Sequence, residues 1–211
     1  MKHFRTAFVL MICICLMIPA GHVKASDSPM SQLKQTIDQF ISVLKDPQYS
    51  GEASREKRRN ILRDIIHHQF DFITMTKGCL GKYRKNFTSE QIEQIADVNG
   101  KIMEYFYINR VEAYTDEKVD FIKEVVKKPD KLVDVFTEIT SDNIEPIPIT
   151  YRMMKKSNGD WKIVNVTVVD INWVNNKRSD WNKILRRASF EEFMAKLNQQ
   201  LEKIKQTPPA S

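Results

Sequence analysis

Cysteine is nearly missing from this 211-residue chain: of three, Cys13 and Cys15 lie in an apolar N-terminal run, which leaves Cys79 alone. A solitary cysteine excludes an intramolecular disulfide and a thiolate-rich metal site. Glycine is scarce as well, with six residues, and none builds a Gly-rich phosphate loop or a nucleophile elbow. Of four histidines, His3 and His22 fall in the first 25 residues, so His67 and His68 stand without a second His/Cys cluster. Carboxylate-rich metal motifs and arginine-rich tracts are lacking, which argues against a metal centre and against nucleic acid as a partner. Long apolar runs are lacking too: the longest, residues 7–18, is shorter than a bilayer-spanning helix needs.

That run has another reading. Lys2 and Arg5 precede it, Pro19-Ala20-Gly21 break it, and Val23-Lys24-Ala25 supply small residues at cleavage spacing. Residues 1–25 are therefore expected to be a cleaved signal peptide, with Ser26 as the first mature residue. Cleavage would remove Lys2, Arg5 and Lys24 and no acidic residue, lowering the net charge from +6 to +3. The remaining chain is long enough to bury a full core without staples, and residues 26–206 are expected to form one domain. Residues 207–211, Pro-rich and terminal, are expected to be disordered.

Hydrophobic spacing divides the rest into two regimes. Ser28-Pro29 opens a helix with apolar Leu33, Ile37, Phe40, Ile41 and Leu44, ended by Asp46-Pro47. Residues 55–68 make a basic second helix with Ile61, Leu62, Ile65 and Ile66 inward, and a short helix over 75–80 stops near Gly81. Thr88-Ser89-Glu90-Gln91 is a capping-box pattern opening a long helix whose stripe is Ile92, Ile95, Val98, Ile102, Met103 and Phe106. The pattern then turns strand-like over 118–126 and 131–140, joined at Lys128-Pro129-Asp130. Residues 145–173 read as a hairpin around Ser157-Asn158-Gly159. A two-residue Asn158-Gly159 turn puts Ile147, Ile149, Tyr151 and Met153 on one face with Val164, Val166 and Val168, and Thr150, Arg152, Asn165 and Thr167 on the other. A three-residue loop ending in Gly159 would shift the pairing by one, so patterning favours the shorter turn. Helices over 171–187 and, behind a Ser189-Phe190-Glu191-Glu192 capping box, through Lys205 complete the chain. The expected fold is α+β: a four-stranded, mostly antiparallel sheet packed with about six helices.

Candidates for chemistry are few. His67 and Asp71, four apart, would share a helix face, but two groups do not complete a metal site, and histidines near a helix C-terminus are favoured by its dipole. Cys79 has no base within sequence reach and reads as a small buried hydrophobe. An enzymatic pocket would need a polar dyad, for which His67, Asp71 and Asn165 are the available groups; catalysis is not supported. What is abundant is amphipathic apolar surface. Its periodicity is the same whether the stripes fill one another or leave room for a ligand, and methionines and aromatics suit irregular apolar shapes.

Several stretches together resemble one family. Phe70-Asp71-Phe72, Cys79-Leu80-Gly81-Lys82-Tyr83-Arg84, and Thr88 with Gln91 are similar to the first half of the MlaC, or toluene-tolerance, family. Pro148 to Arg152, Gly159-Asp160-Trp161-Lys162-Ile163-Val164, and Asp170-Ile171 onward to Arg178 are similar to its second half. The departures are Tyr83 for a usual tryptophan, Asn165 for aspartate, Asn172 for serine, Lys177 for tyrosine and Trp181 for phenylalanine. The resemblance implies a periplasmic carrier, not an enzyme, with no cofactor beyond a bound phospholipid as cargo. Its implied partners are an outer-membrane lipoprotein–porin complex and an inner-membrane ABC transporter complex with its substrate-binding ring. It implies an apolar lipid pocket between sheet and helices. The expected lining is Ile147, Ile149, Tyr151, Met153, Val164, Val166 and Val168 from the sheet with Ile171 at its end, faced by Phe72, Met75, Ile95, Val98, Ile102 and Phe106. Val166→Glu in that lining is expected to abolish lipid retention while leaving the protein folded. Arg84, Arg152 and Arg178 are candidates for head groups or an acidic partner surface, or are simply solvated charge. Cargo of another kind, such as a hopanoid, and a ligand-free periplasmic adaptor are the alternatives.

Overall fold

Helix ends follow from the capping residues. The computed structural model describes residues 28–111, 117–142 and 144–206, and the expected signal peptide and disordered tail lie outside them. The first helix, α1 (Pro29–Lys45), starts where the Ser28 hydroxyl accepts from Ser31 N–H at 3.1 Å, with Pro29 supplying a preset φ at the first turn. Asp46 ends α1 and caps a short 3-10 turn, Pro47–Tyr49, in the same way. Helix α2 (Arg55–Gln69) packs Leu62 and Ile65 on Val43 of α1, forming a small apolar cluster separate from the main core.

Phe70-Asp71-Phe72 then does structural work at the junction of helix and sheet. Asp71 N–H donates to Ile163 O at 2.9 Å, and its carboxylate caps α3 (Phe72–Leu80) through Thr74 N–H at 2.8 Å and the Thr74 hydroxyl at 2.6 Å. Lys156 Nζ reaches the same carboxylate at 2.6 Å. Burial works against the charged form, but these hydrogen bonds outweigh it and hold the Asp71 pKa below the ordinary carboxylate value. A lowered native pKa contributes stability that is present above the unfolded value and lost as pH falls through the folded one. Asp71→Ala is expected to cost about 1–2 kcal/mol, seen as a lower urea midpoint at pH 7, with the deficit shrinking in acid.

Gly81 (φ +54) turns the chain into a 3-10 segment, Gly81–Asn86, before α4 (Ser89–Val111). The expected capping box is formed: Thr88 Oγ1 accepts from Gln91 N–H at 3.2 Å, and Gln91 Oε1 accepts from Thr88 N–H at 2.9 Å. Strands β1 (Lys118–Lys128), β2 (Leu132–Ser141), β3 (Ile144–Lys155), β4 (Trp161–Val168) and β5 (Ile171–Asn172) form one antiparallel meander in that order. Helices α5 (Trp173–Leu185) and α6 (Phe190–Lys205) follow, the latter behind the Ser189/Glu192 box. The α+β expectation with six helices holds; the sheet has five strands, not four.

The fifth strand replaces the start of an expected helix. Residues 171–172 pair back on β4, Ile171 with Val168 and Asn172 with Thr167, and Asn172 Nδ2 donates to Thr167 Oγ1 at 3.0 Å. Asn172 Oδ1 also accepts from Asn175 N–H at 2.9 Å, which makes it the cap that delays α5 to Trp173. The turn between β4 and β5 carries Val169 at φ +52, a left-handed conformation that a β-branched residue adopts only at a cost.

The β3–β4 turn is also different from the patterned expectation. Lys156 N–H donates to Asp160 O and Gly159 N–H to Lys156 O, which closes a three-residue loop with Gly159 at φ +92. Pairing therefore starts one residue off, with Lys155 opposite Trp161 and Met153 opposite Ile163. Val164 is then the extra residue of a bulge between Met153 and Arg152, and beyond it the register is the one expected from a two-residue turn: Arg152–Asn165, Tyr151–Val166, Thr150–Thr167. The two offsets cancel, and the apolar face survives with Ile163 in the place opposite Met153.

Candidate functional site

The apolar interior between the sheet and α3–α4 is the candidate. Ile149, Met153, Val164 and Val166 of the sheet are buried with Phe72, Met75, Ile95, Val98 and Ile102 of the helices in one cluster, and Ile147, Tyr151 and Val168 pack partly buried against it. Phe106 and Ile171 are the two expected lining residues that the fold leaves outward, 37% and 64% exposed. Phe106 instead meets two aromatic neighbours, edge-on to the Tyr107 ring at 5.1 Å and tilted against that of Trp173 at 6.2 Å. Sequence reasoning missed Trp173, Ile163 and the β2 residues Val133 and Val135, all buried in the same cluster. Alternation in β2 could have found Val133 and Val135. Trp173 gave no such signal, because it fell where the expected hairpin ran into the expected helix and belonged to neither apolar stripe.

Close packing ties α4 to this interior. A Cβ on Gly100 would come within 3.3 Å of the Phe72 ring, so α4 lies close against that ring and any larger residue would press on it. Gly78 plays the same part for α5: a Cβ there would meet Val174 Cγ1 at 3.0 Å. Arg178 clamps the two helices by donating from Nε to Gly78 O at 2.8 Å. Arg152 is occupied as well, gripping the buried Asp134 through two bonds of 2.7 and 2.9 Å. Asn165 Oδ1 accepts from Val174 N–H. Of the three arginines singled out from sequence, Arg84 lies exposed on the 3-10 segment.

The polar groups singled out from sequence, His67, Asp71 and Asn165, each have structural partners. His67 and Asp71 do not form a dyad: Asp71 caps α3, and His67 Nε2 meets Glu104. Glu104, a carboxylate on α4 only 1% exposed, also takes Arg63 Nε at 3.3 Å, so α2 and α4 are pinned across the edge of the Phe72 ring. Burial raises the Glu104 pKa, against the opposing fields of His67, Arg63 and Lys101. A raised native pKa contributes stability below the unfolded value that is lost as pH rises through the folded one. Glu104→Gln, which stays neutral, is expected to gain in stability relative to the unmodified protein as pH is raised from 4 to 8, measured by urea denaturation. A parallel pair of curves would contradict it. Cys79 is 1% exposed and its thiol is pushed up to about 12 by burial, with Lys177 and Arg178 opposing, so it stays a neutral core side chain. Burial likewise raises the Tyr151 phenol, keeping it neutral.

A solvent-open groove of about 730 Å³ runs elsewhere, between α5 and α6, lined by Lys183, Ile184, Arg187, Glu192 and Lys196 among others. None of the expected lining residues borders it, and its charged rim suits water better than acyl chains.

Known proteins share this architecture. A model of the MlaC protein family matches residues 34–199. The intermembrane phospholipid transport system binding protein MlaC of Haemophilus influenzae is 20% identical over 177 residues, spanning 83% of this chain and 83% of that protein. The solved structure of a phospholipid-binding protein from Ralstonia solanacearum, in complex with a phospholipid, matches with a TM-score of 0.75 at 18% identity, over 85% of this chain and 100% of that one.

Proposed function

The chain belongs to the MlaC family, and from that premise we propose that it is a periplasmic phospholipid carrier, moving lipid between outer-membrane and inner-membrane Mla-type complexes and so maintaining outer-membrane lipid asymmetry. The observation that carries the reading is the main apolar cluster, in which the sheet face meets α3 and α4, on a fold shared with a protein solved with phospholipid bound. Two acyl chains hold about 30 methylenes at about 0.8 kcal/mol each, so crossing water bare costs on the order of 25 kcal/mol. An apolar interior that parts to take the chains replaces the bilayer's environment, and exchange then runs close to thermal neutrality. The work is binding and release, with no bond made or broken. Its partners are an inner-membrane ABC transporter complex with its substrate-binding ring and an outer-membrane lipoprotein–porin complex.

The lining, Phe72, Met75, Ile95, Val98, Ile102, Ile147, Ile149, Tyr151, Met153, Val164, Val166 and Val168, touches the chains, with Phe106 and Ile171 at the rim. Transfer of a fluorescent phospholipid from donor to acceptor vesicles tests this. The mature protein is expected to accelerate transfer in proportion to its concentration; a rate equal to the spontaneous one would sink the proposal.

A further inference from the structure

The first turn of α5 holds an unexplained donor. Trp173 is 7% exposed, and its indole Nε1–H is buried with no hydrogen-bond partner among the described residues. Native folds seldom leave such a group unpaired, and a phenylalanine would fill the place without that penalty. The indole belongs to the same apolar cluster as Phe72, Val98, Ile102 and Val166, whose members include most of the residues assigned to acyl chains.

Beside it is a cation. Lys177 Nζ lies 4.9 Å from the centroid of the Trp173 ring. The ammonium is partly desolvated, which lowers its pKa, while Asp180 and the Cys79 thiol act the other way. Two backbone donors of this turn are already spent, Val174 N–H on Asn165 and Asn175 N–H on Asn172. The indole and the ammonium are thus neighbours, each with hydrogen-bonding capacity to offer a ligand. Phe106 and Tyr107 flank them, the Tyr107 ring 6.0 Å from the indole. The β4–β5 turn adds two exposed aliphatic side chains, Val169 and Ile171. An all-apolar ligand would have no use for a buried N–H and a half-desolvated ammonium at the rim of its pocket. An anionic acceptor joined to two apolar chains matches both.

We infer that Trp173 Nε1 and Lys177 Nζ form the subsite for the phosphodiester of the bound lipid, donating to its non-bridging oxygens while the chains lie between sheet and helices. The subsite rests on the carrier reading above and adds to it the group that orients the cargo. It is specific to this chain's side chains, since Lys177 is one of the departures from the family pattern.

The test uses the mature protein with dioctanoyl phosphatidylglycerol, dioctanoylglycerol and inorganic phosphate, each lipid below its micellar concentration. Trp173→Phe and Lys177→Met are each expected to weaken phosphatidylglycerol binding about tenfold and to leave dioctanoylglycerol binding unchanged. In the unmodified protein, the Trp173 indole ¹⁵N–¹H resonance is expected to move downfield with phosphatidylglycerol and to stay put with dioctanoylglycerol. Variants that lose both lipids alike would show a packing role and overturn the subsite, as would an indole resonance indifferent to the phosphodiester. A shift equally large with inorganic phosphate would assign the donors to a free anion and overturn it too. If the unmodified protein binds neither lipid, the carrier reading itself fails and takes the subsite with it.

Discussion

Val166→Glu is expected to yield a protein without lipid and with a fold weakened by about 4 kcal/mol or more. Val166 is 5% exposed, pairs with Tyr151 across β3–β4, and belongs to the main apolar cluster. A carboxylate there would be buried in an apolar cluster, so it either stays neutral or draws water into the interior, and acyl chains would have to desolvate it. The sequence led us to expect an intact fold for this variant; its burial on the sheet shows why stability falls as well. Val166→Ala separates the two effects. It is expected to cost about 2 kcal/mol while keeping the wall apolar, so it retains lipid. Phosphorus assay of purified protein beside thermal melts reads both. Stoichiometric lipid on folded Val166→Glu would remove β4 from the lining.

Phe193→Ala should be a strongly damaging truncation outside the proposed lining, at about 3–5 kcal/mol. Phe193 is 0% exposed on α6, with its ring 5.2 Å from Trp181 and nearly perpendicular to it, and stacked at 6.4 Å on Phe87. For a chain of this size about 2–4 °C of melting temperature goes with each kcal/mol, so a fall on the order of 10 °C is expected by calorimetry. Phe193 and Trp181 share the main apolar cluster with α3, α4 and the sheet but are not among the proposed lining residues, so lipid per folded molecule should be unchanged well below the melting point. Loss of lipid at low temperature would extend the site to α6.

The fold was legible wherever a local rule acts alone. Ser28-Pro29, the Thr88 box and the Ser189 box marked helix starts because the capping side chain and its partner lie three residues apart. The apolar face of β3 and β4 was legible from alternation. The loop between them was not, because a three-residue turn and a bulge at Val164 shift the register in opposite senses and leave the far half of the pattern unaltered. β5 is two residues long, too short for any periodicity, and its pairing depends on a left-handed Val169 that no propensity favours. Phe106 was placed in the lining by its spacing from Ile102. On α4, however, Asn99 and Gly100 also face inward, toward Thr76 and Phe72, and beyond Ile102 the buried positions are Met103, Glu104 and Ile108, which leaves Phe106 outward. Glu104 left no trace in the sequence, since its partners Arg63 and His67 come from a helix some 40 residues earlier.

Native mass spectrometry of the mature protein, followed by extraction and identification of whatever it carries, is the measurement to make first. A mass increment of one phospholipid per chain, released on denaturation and lost in Val166→Glu, is the result expected of a carrier. A bare mass that takes up no lipid from vesicles would contradict it and leave the interior as a filled core.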